Sequence, residues 1–116
     1  MPSPAAAAGL KKQSVIPFPA GDSSPASADV NAVHTLAVSL NAALKGGTAS
    51  RVELAAYGGP RGDKSSDSRR LSLKRALVIR ELLIEDGVPS EKIDVRALGG
   101  ADDGGSADRV DVFLKA

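Results

Sequence analysis

The stretch SRRLSLKRALVIRELLIEDGVPSEKIDVRALGG, residues 68–100, decides which fold this chain can form. The apolar side chains of its first half recur with helical spacing: Leu71, Ala76, Ile79, Leu82 and Leu83. Gly87 ends that pattern, and the alternating segment IDVRAL (93–98) then predicts a strand. A helix that leads directly into a strand indicates a protein in which helices pack on a sheet.

Three further strands are predicted outside this stretch. SVIPF (14–18) predicts a short edge strand, because Pro17 cannot donate a hydrogen bond within a sheet. RVELAAY (51–57) and RVDVFL (109–114) alternate between apolar and other residues, as half-buried strands do.

A second helix is predicted from apolar residues that share one face: Val30, Val33, Leu36, Ala37, Leu40 and Leu44. Ser27 or Asp29 would cap its start, and Gly46-Gly47 would end it. The resulting order, β-α-β-α-β-β, predicts a two-layer α/β (α+β) domain with two main helices on one face of a mixed sheet.

Length and composition limit the organisation and the chemistry. A chain of 116 residues has room for one domain, which we assign to residues 14–116, with residues 1–13 as a linker or disordered arm. Without cysteine, and with His34 as the single histidine, thiolate catalysis and cysteine-based metal sites are excluded and a histidine-based site is disfavoured. No cofactor, metal or enzymatic activity is indicated.

Membrane and export signals are also missing from this sequence. No apolar run approaches the ~18 residues that suggest a spanning helix. The segment PAAAAGL is too short and too weakly hydrophobic for the core of a signal peptide. If the protein is exported, we expect its export segment to lie outside this sequence.

The cations are concentrated in one region. Residues 61–80 carry seven cations and two anions, a local charge of about +5 in a chain of net charge +1. Nucleic acid, a small anion, a kinase recognising RRLS (69–72) or an integrin recognising RGD (61–63) could each use this region. The chain lacks the aromatic residues that stack on single-stranded nucleic acid, and an N-cap role would explain Ser72.

Arg75 differs from the other cations in its position. It lies four residues after Leu71 and four before Ile79, beside the apolar face of the helix. A cation there must be paired or must face a cleft. Two interpretations remain open: Arg75 binds a carboxylate or phosphate with help from helix amides near Ser72, or it pairs internally with Asp63 or Asp67.

The same residues resemble a known family. Leu71-Ser72-x-x-Arg75-Ala76, the turn Gly87-Val88-Pro89, the strand 93–99 and the segment 109–111 together resemble the OmpA-like domain, the C-terminal peptidoglycan-associated module of bacterial envelope proteins. The resemblance covers roughly residues 14–114. It implies a four-stranded mixed sheet in the order 1-4-2-3.

The resemblance also implies a site and a cellular location. The arginine at position 75 would bind the carboxylate of diaminopimelate in the peptidoglycan stem peptide. The family's amine-binding aspartate falls on Gly59 or Pro60, so it is missing, and this is a divergent member. Binding through Arg75 would therefore be weakened. The other candidate site residues are Tyr57, Gly58, Gly59, Ser68, Ser72, Asp63 and Asp67.

The implied role is that of a non-catalytic module in the periplasm or cell envelope. Its partner would be peptidoglycan or another envelope protein, and a missing N-terminal region would tether it. The alternative is an OmpA-like scaffold that no longer binds peptidoglycan and serves protein–protein interaction.

Overall fold

The structure is a computed structural model that describes residues 10–116. Two helices alternate with strands, and a single turn of 3-10 helix at Ser90–Lys92 leads into the third strand. In chain order the elements are β1 (Leu10–Pro17), α1 (Ser27–Lys45), β2 (Arg51–Tyr57), α2 (Ser66–Glu85), β3 (Ile93–Ala97) and β4 (Arg109–Lys115).

The strands form one mixed sheet in the order β1-β4-β2-β3. β2 and β3 run parallel and are joined by α2, whereas β4 lies antiparallel to both β1 and β2. The α/β class, the four strands and the strand order expected from the sequence are thereby confirmed.

The core lies between the helices and one face of the sheet. Alternate residues of β2 and β4 face it (Val52, Leu54, Ala56, Val110 and Val112), and all five are fully buried. The helices contribute Val33, Ala37, Leu40, Ala76, Ile79 and Leu83. Residues 51, 53, 55 and 57 of β2, and 109, 111 and 113 of β4, therefore lie on the face turned away from the helices.

β1 begins four residues before the strand expected at residue 14. Leu10, Lys11 and Lys12 pair with Lys115, Leu114 and Phe113 of β4. The register shifts between Lys12 and Ser14, and such a bulge removes the alternation by which a strand is recognised. The assignment of residues 10–13 to the arm is therefore wrong, and the rest of the predicted arm lies outside the described residues.

Both helices begin differently from the expected caps. Ala26 is the N-cap of α1, so neither Ser27 nor Asp29 caps it. Ser65 caps α2, its hydroxyl accepting a hydrogen bond from the Ser68 amide. Ser72 lies in the second turn of that helix and is not its cap. The predicted stops are confirmed, since α1 ends before Gly46 and α2 ends before Gly87.

Among residues 10–116, neither helix combines the length and apolar character needed to cross a bilayer.

Candidate functional site

Arg75 is the largest fully buried side chain among the described residues. α2 carries it on its core face, beside Ala76 and Ile79, and its side chain is 0% exposed. Nε donates to the Asp22 carbonyl at 2.8 Å, Nη1 to the Tyr57 carbonyl at 3.0 Å, and Nη2 to the Pro19 carbonyl at 3.4 Å. The guanidinium is thus held by backbone from the β1–α1 loop and from the end of β2.

The counter-ion of Arg75 is Asp108, immediately before β4. Arg75 Nη1 lies 3.0 Å from Asp108 Oδ1, and the Asp108 side chain is 29% exposed. The Phe18 ring lies 5.2 Å from the guanidinium carbon, within the range of a cation–π contact. The internal partner expected at Asp63 or Asp67 is therefore wrong: Asp108, 33 residues away in the chain, takes that place.

Asp63 belongs to the start of α2. Its carboxylate accepts hydrogen bonds from the Ser65 amide, the Ser65 hydroxyl and the Ser68 hydroxyl. These hydrogen bonds hold the pKa of Asp63 below its ordinary value, and the bond from the Ser65 amide has the largest effect. Asp67 projects into solvent from the first turn of α2 and pairs with Arg70 at 3.3 Å.

Ser72 is fully buried and has a structural role in this arrangement. Its hydroxyl donates to the Arg69 carbonyl at 2.8 Å and accepts from the Gly99 amide at 3.1 Å, which ties α2 to the end of β3. Because α2 begins at Ser66, the amides near Ser72 lie within the helix and are not free N-terminal donors. The prediction that free helix amides near Ser72 help Arg75 to bind an anion is therefore wrong.

Of the candidate site residues at the end of β2, Gly58 and Gly59 pack directly against α2, whereas Tyr57 contacts Arg75 through its backbone carbonyl. A Cβ atom at Gly58 would lie 2.9 Å from Leu71 Cγ. Gly59 has a φ of +86°, and a Cβ there would overlap the Ser68 hydroxyl. In this loop conformation, a larger side chain at position 59 has no room, which fits the absence of an aspartate there.

A second polar cluster lies on the face of the sheet turned away from the helices. Arg109 is buried and donates to Asp111 Oδ1 at 3.0 Å and to the Asp103 carboxylate, and it lies 4.1 Å above the Tyr57 ring. Burial raises the pKa of Tyr57, as does the Asp103 carboxylate, whereas Arg109 opposes this rise. Sequence reasoning missed this cluster, although charges at 109 and 111 occupy one face of an alternating strand.

The cluster also holds the β3–β4 loop in place. Burial raises the pKa of Asp103, but the Gly105 amide and the Arg109 guanidinium donate to its carboxylate, and the net effect is a lowered pKa. Arg61 donates to the Gly105 carbonyl and Lys64 to those of Leu98 and Gly100. Thus Arg61 and Asp63 of the RGD segment are both engaged within the protein.

Comparison with family models gives a direct assignment. The model described as OmpA family matches residues 24–111, about three quarters of the chain. This chain belongs to the OmpA family. The match includes Tyr57, Arg75 and Asp108, so the buried ion pair lies within the family domain. A search of curated protein sequences found no match.

Solved structures share the fold of this OmpA-family domain. The OmpA-like domain of FopA1 from Francisella tularensis subsp. tularensis SCHU S4 superposes with a TM-score of 0.68 at 22% identity, covering 87% of this chain and 72% of that one. The peptidoglycan-associated lipoprotein from Burkholderia pseudomallei gives 0.66 at 17%, covering 89% of both. The C-terminal domain of Helicobacter pylori MotB gives 0.67 at 14%, covering 90% of this chain and 85% of that one.

Proposed function

We propose that this OmpA-family domain is a non-catalytic module of the bacterial cell envelope that binds the peptidoglycan stem peptide with weakened affinity. The observation that carries the proposal is the pair of Arg75 and Asp108. A buried guanidinium already holds a carboxylate, and that carboxylate reaches solvent with 29% of its side chain exposed. A ligand carboxylate could take its place without leaving Arg75 uncompensated.

Family membership and the relatives' names support the biological setting. One relative of the same fold is a peptidoglycan-associated lipoprotein, and another is described as the periplasmic domain of MotB. We accordingly place this domain in the periplasm or cell envelope, with peptidoglycan or an envelope protein as its partner.

In the proposed complex, the diaminopimelate carboxylate displaces Asp108 and accepts the hydrogen bond from Arg75 Nη1. The backbone at Tyr57, Gly58 and Gly59 forms the facing wall. The ligand's amine would require a carboxylate, and Asp63 and Asp67 are the candidates in the adjoining segment. Asp63 would first have to exchange its bonds to Ser65 and Ser68, so both steps lower the affinity.

A sacculus pulldown tests this exchange. Purified cell-wall sacculi are incubated with wild type, Asp108→Ala and Asp102→Ala, and the retained fraction is measured by sedimentation. Removal of the internal competitor should increase retention of Asp108→Ala several-fold over wild type. Asp102→Ala is the matched control, because Asp102 lies exposed in the same loop without contacting Arg75, and it should behave as wild type.

The double variant Arg75→Met/Asp108→Ala provides the decisive comparison. It removes both charges. Proteins often tolerate the replacement of a buried ion pair by apolar side chains that pack well. If Arg75 is the receptor, the retention gained in Asp108→Ala should disappear in this variant. Circular dichroism of each variant establishes that it is folded. Equal retention of the single and double variants would show that sacculi are bound elsewhere.

The scaffold alternative is favoured by a specific observation. The Arg75 side chain is 0% exposed and makes four hydrogen bonds within the protein. A purely structural arginine would have this environment. Under this alternative, folded wild type and folded Asp108→Ala are both absent from the sacculus pellet, and that result would reject peptidoglycan binding.

A further inference from the structure

β3 forms one edge of the sheet, and its outer side presents open backbone groups. The Leu98 amide donates to the Ala56 carbonyl of β2 at 2.9 Å. Because successive residues of a strand turn their backbone groups to opposite sides, residues 94 and 96 also face β2, whereas residues 93, 95 and 97 face outward. Side-chain donors reach the carbonyls of Glu91 and Leu98, on either side of β3, and leave the outward groups of Val95 free for a further strand.

The other edge of the sheet, at β1, is protected against a further strand. Its register shifts between Lys12 and Ser14, it ends at Pro17, and Lys11 is exposed on it. Bulges, prolines and lysines are the features by which natural edge strands avoid pairing with another chain. β3, with the sequence IDVRA and a regular register to β2, has none of them.

The charges of β3 are complementary to an antiparallel copy of the same strand. When Val95 lies opposite Val95 of a second copy, Asp94 lies opposite Arg96 of that copy, and the reverse pair forms on the other side. Opposite charges at such cross-strand positions stabilise antiparallel pairing. The Asp94 side chain also pairs with Arg51 but is 44% exposed, and the Arg96 side chain, 4.0 Å from Glu53, is 51% exposed. Both can therefore contact a second copy.

The backbone groups fit the same register. Val95 faces outward, so its amide and carbonyl would exchange two hydrogen bonds with Val95 of the second copy. The Ala97 amide would donate to the Ile93 carbonyl of the second copy, while the Ile93 amide keeps its bond to the Ser90 carbonyl. Positions 94 and 96 then form the pairs without hydrogen bonds, in which opposite side chains lie closest together.

Two exposed leucines of α2 lie beside this edge. The Arg69 side chain is 3.5 Å from the position of a Cβ atom at Gly99, in the segment after β3. Leu73 and Leu77 follow Arg69 at intervals of four residues, so they lie on the β3 side of the helix. They are 40% and 46% exposed, although both are large and apolar. A strand added to β3 would bring further protein against them.

Leu77 would lie near the two-fold axis of such a pair. α2 connects two parallel strands, so it runs opposite to β3. From Gly99 back to Val95 the strand covers about 13 Å, the length of about nine residues of helix. Counted from Arg69, this distance ends close to Leu77. Two copies of α2 would thus run antiparallel and meet around this residue.

The exposed charges of α2 favour that arrangement. Cations precede Leu77 and glutamates follow it: Arg69, Arg70 and Lys74 on one side, and Glu81 and Glu85 on the other. Asp67 and the partly exposed Arg80 are the exceptions. In antiparallel copies centred on Leu77, the cationic half of each helix lies beside the half of its partner that carries the glutamates.

From these observations we propose that the domain forms a two-fold symmetric dimer with a second copy of this chain. β3 pairs antiparallel with β3, which joins the two four-stranded sheets, and α2 packs against α2 through Leu73 and Leu77. Such an interface uses the same surface on both copies. Arg75 contacts segments near β1 and β4, on the other side of β2, so its site lies outside the interface.

Sedimentation velocity of the 116-residue protein over a range of concentrations tests the association. We expect a reversible monomer–dimer equilibrium whose mass rises towards twice 11.8 kDa. A protein that sediments as a monomer at every concentration would overturn the proposal.

Complementary charge variants test the register. Asp94→Lys would place lysine opposite Arg96 at both pairs of the dimer, and Arg96→Glu would place glutamate opposite Asp94. Each variant alone should dimerise at least about tenfold more weakly than wild type, because two favourable cross-strand pairs become unfavourable. A mixture of the two should form heterodimers, since opposite charges then meet at both pairs. If the two folded variants do not associate with each other, this register is wrong.

Matched controls separate this surface from others. Lys11→Glu makes the same charge reversal as Arg96→Glu at the β1 edge and should leave the dimer unchanged. Leu77→Ser should weaken the dimer about tenfold through lost apolar burial, whereas Val38→Ser, at a 71% exposed site of α1, should not. A dimer that is insensitive to both Arg96→Glu and Leu77→Ser would show that another surface is used. None of these results depends on sacculus binding, so this proposal and the proposed function fail separately.

Discussion

At the scale of single residues, Arg75 shows what a buried cation requires. Three backbone carbonyls, one carboxylate and the face of Phe18 surround its guanidinium. Desolvation of an arginine is costly, and only such a set of acceptors makes the buried position tolerable. These contacts draw on the β1–α1 loop, the end of β2 and the residue before β4, so Arg75 joins segments that are distant in the chain.

Loss of the Asp108 carboxylate should destabilise the protein. In Asp108→Ala the guanidinium keeps its carbonyl acceptors but loses its counter-ion. We expect the free energy of unfolding to fall by about 2–3 kcal/mol, because a buried charge is left unpaired while water can partly replace the exposed carboxylate. Urea denaturation measures the change. Asp102→Ala, at an exposed site in the same loop, should change it by less than about 0.5 kcal/mol; equal effects would contradict the role of the pair.

The sequence predicted the importance of Arg75 but not its partner. A cation on the apolar side of a helical pattern can be recognised from spacing alone. Its partner cannot, because Asp108 approaches only when β4 inserts between β1 and β2 and brings the residue before it to the helix. The nearer carboxylates, Asp63 and Asp67, were the candidates by chain distance, and both are used at the start of α2.

At the scale of elements, the β2–α2 and β3–β4 loops are packed into each other. The Gly100 amide donates to the Asp63 carbonyl at 2.8 Å, and the Gly62 amide donates to the Ala101 carbonyl at 3.1 Å. Lys64 reaches across to the carbonyls of Leu98 and Gly100. These bonds join the segment before α2 to the segment after β3, and they leave no space between the two backbones at Gly100.

A methyl group at Gly100 should disturb this packing. The Cβ atom of Gly100→Ala would overlap the Pro60 carbonyl and lie 2.6 Å from the Asp63 amide nitrogen, both of them backbone atoms. We expect a loss of about 2 kcal/mol in the free energy of unfolding, typical of overpacking in a closely fitted site. Thermal denaturation is the measurement. An unchanged Tm would show that the two loops separate readily.

Asp63, which accepts hydrogen bonds at the start of α2, should make the stability of the protein depend on pH in the acid range. Its pKa in the folded protein lies below the ordinary value of 3.8, chiefly because the Ser65 amide and the Ser68 hydroxyl donate to the ionised carboxylate. The resulting stability is present above the ordinary pKa and is lost as the pH falls through the lower folded-state pKa. The Tm difference between wild type and Asp63→Asn should therefore narrow between about pH 5 and pH 2. A constant difference over that range would contradict this linkage.

The sequence predicted the helices and strands well where the apolar pattern was regular. The second half of α2 and the interiors of β2 and β4 are of this kind. The pattern failed at Leu10–Lys12, where backbone pairing with β4 holds an edge strand that carries exposed lysines. It also failed at the helix starts. The N-cap of α1 is Ala26, a residue type that gives no capping signal, and Ser65 is one of several neighbouring serines that could have capped α2.

At the scale of the whole molecule, the two faces of the sheet have different chemistry. One packs against α1 and α2 through aliphatic side chains. The other carries the Arg109 cluster and Glu53. Cross-strand charge pairs could be suspected from the outward positions of the alternating strands, but their connection through the β3–β4 loop depends on the fold.

The layer between helices and sheet should dominate stability. Leu40→Ala removes a side chain that is almost fully buried on the inner face of α1, and we expect a loss of about 3 kcal/mol in the free energy of unfolding. Val38 lies two residues earlier on the same helix and is 71% exposed, so Val38→Ala should change it by less than about 0.5 kcal/mol. Urea denaturation of both variants measures these changes. Comparable losses of unfolding free energy in the two variants would contradict the orientation of α1.

In the Arg75–Asp108 pair, Asp108 is an intramolecular competitor for any free carboxylate that would bind Arg75. Asp108 is part of the same chain, so it competes with any free carboxylate at a constant effective concentration, typically on the order of millimolar or more for a short tether. Dilution of the protein does not weaken this competitor. A free carboxylate must overcome it at every protein concentration, whereas a single substitution at residue 108 removes it.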